Sequence, residues 1–107
     1  MDESPLRAER LLTLSSAARR LSDLVAAAET PLRYEVARHL LRLSEEDMVE
    51  VLEETVAVRL VRRGDDPFTY TPYDGATGEA IRDGMGEERL VRLRAQLAAA
   101  TARVFEG

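Results

Sequence analysis

The sequence predicts a mainly helical domain carrying one small β-hairpin. Three observations predict it. Apolar residues recur at steps of three and four through most of the chain. That period changes after Val58, where β-branched and aromatic residues surround a Gly64-Asp65-Asp66-Pro67 turn. Serine and threonine stand where helices would begin. A chain of 107 residues, 45% hydrophobic and 33% charged, has the size and composition of one globular domain able to form a core without staples.

The first helix is expected from Pro5 to Ala28, with Ser4 as cap and Pro5 at the first helical position. Leu11, Leu14, Ala18, Leu21 and Val25 form an a/d-type stripe, with a break near Ser15-Ser16 left open. Thr30-Pro31 restarts the chain as N-cap and first position of a second helix, about eleven or twelve residues long, with Leu32, Val36, Ala37, Leu40 and Leu41 at helical spacing. Ser44-Glu45-Glu46-Asp47 then reads as a capping box that starts a third helix near Glu45. On it Met48, Val49, Leu52, Thr55 and Val56 share one side, and Glu46, Asp47, Glu50, Glu53 and Glu54 the other.

Val58–Arg63 and Phe68–Thr71 are expected as the two strands of the hairpin, ended by Pro72. A weak helix from Tyr73 to Asp83 contains Gly75 and Gly78, and Gly84-Met85-Gly86 breaks it. The last helix starts at Glu87, with Leu90, Leu93, Leu97, Ala100 and Val104 in register. Helix, helix, capped helix and hairpin is the order of a winged helix-turn-helix, here with extra N- and C-terminal helices. The chain then divides into an N-terminal helix (1–29), a helix-turn-helix with its wing (30–72) and C-terminal helices (73–107), all in one domain.

The stretch Leu43–Asp47, Val49, Val51–Glu54 and Arg59–Arg63 resembles the winged-helix module of the STAND-class signalling ATPases. The likeness continues through Tyr70, Glu79-Ala80-Ile81, Gly84-Met85, Glu88-Arg89, Leu93 and Ala98, and covers Thr30 to Val104. Pro72 replaces an aromatic of that family's wing strand, Asp74 replaces its histidine, and Gly75 and Gly78 loosen a helix that is usually better formed. The resemblance implies a regulatory module that docks on a nucleotide-binding domain or another protein. It brings no ATPase activity, because the chain has neither a G-x-x-x-x-G-K-[ST] motif nor any lysine.

The formal charge is −5, from 20 acidic and 15 basic residues, and every basic residue is arginine. The absence of cysteine excludes disulfide scaffolds, cysteine–zinc sites and thiol catalysis. The longest apolar run, Leu24–Ala28, is too short for a membrane span, so a cytoplasmic address and no membrane partner are expected. Glu46, Asp47, Glu50, Glu53 and Glu54 occupy the side that a recognition helix turns to the major groove, with no arginine between Glu45 and Val58. Phosphate would repel that side, which is either a plain solvated helix face or a docking face that attracts an arginine-rich protein. Five like charges without i,i+4 basic partners also cost helix stability. The leading expectation is therefore a non-enzymatic protein-interaction or regulatory module.

The alternative is a dimeric transcription regulator that uses the wing arginines Arg59, Arg62 and Arg63 on DNA, unless these balance Asp65 and Asp66. Leu11, Leu14, Leu21, Leu90, Leu93 and Leu97 could pair two helices within one chain or across a homodimer axis. His39 stands four residues after Glu35 and reads as half of a surface pair. The serines carry no nucleophile motif, Asp65-Asp66 lacks the alternating ligands of a calcium loop, and no glycine segment has the setting of a phosphate cradle. No catalytic residue, metal site or cofactor is expected.

Overall fold

A computed structural model of the protein describes residues 14–106. Five helices and three short strands follow one another as α1 (Ser16–Ala27), β1 (Leu32–Arg33), α2 (Tyr34–Leu41), α3 (Glu45–Ala57), β2 (Val61–Arg63), β3 (Thr69–Pro72), α4 (Gly75–Met85) and α5 (Glu87–Glu106). The strands form one antiparallel sheet in the order β1-β3-β2. The domain is compact and mainly helical. The expected start at Pro5 and the stripe residue Leu11 lie outside the described residues.

Helix α1 is the centre of the domain rather than a flanking addition. It packs against each of the other helices and β3. Ala18, Leu21, Ser22, Leu24, Val25, Ala26 and Ala27 are all buried, so its second half is enclosed on nearly every side. Small side chains there let neighbouring elements approach closely. Ser15 is its N-cap and accepts from the Ala18 N–H at 3.2 Å. Its last turn holds no basic residue, and two arginines from other helices supply what is missing. Arg82 of α4 donates to the Ala26 carbonyl and Arg94 of α5 to the Ala27 carbonyl, each at 3.0 Å. These are acceptors that a helix end otherwise leaves open.

The restart at Thr30-Pro31 occurs, but not as a helix. Leu32 and Arg33 run extended and pair with Tyr70 and Thr69 of β3, and α2 begins three residues later than expected, at Tyr34. Burial of Leu32 and two strand partners outweigh a helical preference over so short a segment, and Pro31 is compatible with extended backbone. Helix α2 ends at Arg42, which adopts the left-handed conformation (φ 56°). Helix α3 starts where expected: the Ser44 side chain accepts from the Asp47 N–H at 3.2 Å.

The hairpin strands are shorter than the β-leaning sequence. Val58 caps α3 and Arg59 takes φ 61°, so β2 begins only at Val61. It pairs Val61 with Pro72, Arg62 with Thr71 and Arg63 with Tyr70. Helix α4 is shifted two residues toward the C-terminus, because Asp74 caps it by accepting from the Thr77 N–H at 2.7 Å. Gly84 and Met85 stay helical, and only Gly86, at φ 84°, ends the helix. Gly78 lets α4 come close to the end of β3: a Cβ there would meet the Pro72 ring at 3.2 Å. Of the described stripe leucines, Leu14, Leu21 and Leu97 are buried in the core of this chain, and Leu90 and Leu93 pack half-buried against it.

Candidate interaction surface on helix α3 and the hairpin

Helix α3 has three faces, not the expected two. Met48, Val51 and Thr55 enter the core. Thr55 satisfies its hydroxyl on the Val51 and Leu52 carbonyls, both at 3.0 Å. Val49 and Val56, assigned from the sequence to the buried side, are instead 50% and 42% exposed. At 100° per residue they lie at the edge of the apolar arc, and no element packs over that edge. Leu52 between them is half-buried.

The third face is acidic. Glu46, Asp47, Glu50 and Glu53 are exposed, and among the described residues none of their carboxylates forms an ion pair. Glu54 departs from that group. Its carboxylate turns to the start of α1 and accepts from the Ser15 N–H at 3.0 Å and the Ser15 hydroxyl at 2.7 Å. It is a structural brace between two helices. The outward surface of α3 is therefore a strip of carboxylates beside a strip of valines.

Across from the valines stands the hairpin. Arg63 and Tyr70 are cross-strand partners and project from the same sheet face, toward α3. Arg62 projects from the opposite face, so Arg59, Arg62 and Arg63 do not assemble as one cluster. Among the described residues none of the three arginines pairs with Asp65 or Asp66. The Asp66 carbonyl instead accepts the Thr69 hydroxyl at 2.6 Å, which fastens the turn.

Phe68 is the least expected feature of the hairpin. It holds φ at 62° and is 71% exposed. A bulky residue in the left-handed region costs about 1–2 kcal/mol relative to an ordinary conformation. Two contacts hold it there. Its carbonyl accepts the Tyr34 N–H at 2.8 Å, and the two rings meet edge-on with centroids 6.5 Å apart.

Between α3 and the hairpin runs an open groove of about 500 Å³. Tyr34, Val49, Leu52, Val56, Phe68 and Tyr70 line it, with Glu53 on one rim and Arg63 on the other. Tyr70 is buried at its floor. That burial raises the phenol above its ordinary value of 10.0, offset in part by Arg63 and reinforced by Tyr34. Sequence reasoning located the carboxylates and Arg63 but missed the groove. The available signal was the apolar content of α3. Met48, Val49, Val51, Leu52 and Val56 span more of the helix circumference than one packed face can cover.

The remaining polar candidates are placed singly. His39 is exposed, and Glu35 pairs with Arg33 at 3.8 Å instead of with it. Among the described residues no three His, Asp or Glu side chains gather in a set that could hold a metal. No described helix is long and apolar enough to cross a membrane. Comparison of the chain with protein-family models, with curated proteins and with solved structures finds no match.

Proposed function

We propose that this chain is a winged helix-turn-helix domain that works by binding protein, with no catalysis of its own. Several features support the fold reading. Helices α2 and α3 are joined by a tight turn, and the β2–β3 hairpin follows α3 as a wing would. The extended pair Leu32–Arg33 before α2 adds the third strand, on the far side of β3.

The observation that carries the functional reading is the outward surface of α3. A DNA-reading helix needs cations on this surface to offset phosphate. Here it presents Glu46, Asp47, Glu50 and Glu53, without basic partners among the described residues, beside exposed Val49 and Val56. Exposed apolar residues flanked by one sign of charge are the composition of a protein-docking surface. The partner is a nucleotide-binding or other regulatory protein with a cationic surface, and the setting is the cytoplasm.

Charge reversal tests the reading. Glu46→Arg with Glu50→Arg, in a chain whose circular dichroism is unchanged, is expected to lose a partner that the wild-type chain recovers from its native host. Equal recovery by both chains would contradict it. A second reading keeps one observation in its favour: Arg59, Arg62 and Arg63 are exposed and without carboxylate partners among the described residues. On that reading the wing grips DNA in a dimeric regulator. It requires a salt-steep mobility shift that Arg62→Ala with Arg63→Ala abolishes.

A further inference from the structure

Resting on that reading, we propose that the groove between α3 and the hairpin receives one amphipathic helix of the partner protein. That helix seats bulky apolar side chains against Val49, Val56 and Phe68 and sets arginine or lysine beside Glu50 and Glu53.

The shape of the groove argues for a helix. Val49 and Val56 lie two turns apart on α3, about 10 Å along its axis, which matches an apolar i, i+3, i+7 stripe on an opposing helix. Arg63 and Tyr70 project into the groove from one face of the sheet. A helix satisfies its own backbone groups and so can lie over those side chains without joining a backbone ladder.

The charge of the rims argues for its sequence. Glu53 borders the groove on the α3 side, with Glu50 and Glu46 beyond it on the same helix, and Arg63 borders the hairpin side. The two rims have opposite sign. A basic residue on the α3-facing flank of the partner is attracted, and one on the hairpin-facing flank meets Arg63. The pattern sets which way round the helix lies, as flanking charges do in coiled coils. Phe68 supplies the anchor. A ring 71% exposed, in a conformation that suits glycine better, is held over the groove by Tyr34.

The test is a selection on the whole chain from displayed random peptides of about sixteen residues, long enough for four helical turns. Enriched peptides should carry apolar residues at helical spacing with lysine or arginine along one flank. They should bind about tenfold more weakly to Val49→Asp with Val56→Asp, and to Phe68→Gly, all at exposed positions. Glu50→Arg with Glu53→Arg should reverse the preference toward acidic peptides. No enrichment over the Val49→Asp/Val56→Asp chain, or enrichment of acidic peptides by the wild type, would overturn the proposal. The native-host partner separates this proposal from the reading beneath it. If Glu46→Arg/Glu50→Arg loses that partner while Val49→Asp/Val56→Asp keeps it, the groove proposal fails alone. If all variants keep it, both fail.

Discussion

The Glu54 carboxylate accepts both the backbone N–H and the hydroxyl of Ser15, 39 residues away in sequence, at 3.0 and 2.7 Å. One side chain of α3 thereby joins the capping of α1, satisfying a donor at a helix start that carries no acidic residue of its own. Among the described residues, Glu54 is the one member of the acidic series whose carboxylate is committed to the fold.

Glu54→Ala is therefore expected to lower stability by about 1 kcal/mol, allowing for the exposure of these hydrogen bonds. Glu50→Ala, whose carboxylate is exposed and makes no ion pair among the described residues, should stay within about 0.5 kcal/mol of wild type. Urea denaturation of the two variants checks the contrast. Equal losses would mean that the brace contributes nothing.

The other end of α1 makes a second prediction. Arg82 and Arg94 hold the Ala26 and Ala27 carbonyls from two different helices. Arg82→Met and Arg94→Met keep much of each aliphatic stem and remove the donor, so each should cost about 1 kcal/mol, or several degrees of Tm. Arg92, whose only ion pair among the described residues is with exposed Glu88 at 3.6 Å, serves as control, and Arg92→Met should be near neutral.

These tertiary caps mark where the sequence stops being legible. The start of α3 could be read because Ser44 and Asp47 are neighbours whose capping is local. The two-residue strand β1 could not, because its pairing partners Tyr70 and Thr69 lie on the far side of two helices. Asp74 was visible as a residue but not as the cap that sets the start of α4. The same division applies to the surface. The carboxylates of α3 stand out by helical spacing alone, while the exposure of Val49 and Val56 depends on no other element packing over them. Amphipathic pattern identifies an apolar arc; only the packed neighbours decide which part of it is covered.

Two glycines of opposite consequence, Gly64 in the hairpin turn and Gly84 in α4, make a third prediction. A Cβ on Gly64 would overlap the Thr69 hydroxyl, which is already bonded to Asp66. Gly64→Ala should cost about 1–3 kcal/mol. Gly84 is helical with nothing within 4 Å of an added Cβ, so Gly84→Ala should gain about 0.5–1 kcal/mol. Thermal unfolding of both variants reads the two signs directly.

Tyr70 makes a fourth, in pH. Its folded value is raised by burial, so above pH 10 the unfolded chain releases the proton first and the native state holds more protons. The contribution is fully present below pH 10 and is lost as pH rises through the folded value. The chain has no lysine or cysteine to add to that alkaline range. Tyr70→Phe should flatten the alkaline fall in stability measured by urea denaturation. An unchanged fall in that variant would contradict the burial.

The central claim is that protein, not nucleic acid, meets the outer surface of α3. Methyl and amide NMR of the whole chain, titrated at near-physiological salt with a selected basic amphipathic peptide and separately with duplex DNA, tests it most directly. The Val49 and Val56 methyls and the Phe68 amide are expected to shift with the peptide, and the DNA to move nothing on α3. Silent valines, with DNA-induced shifts at Arg59, Arg62 and Arg63, would contradict it.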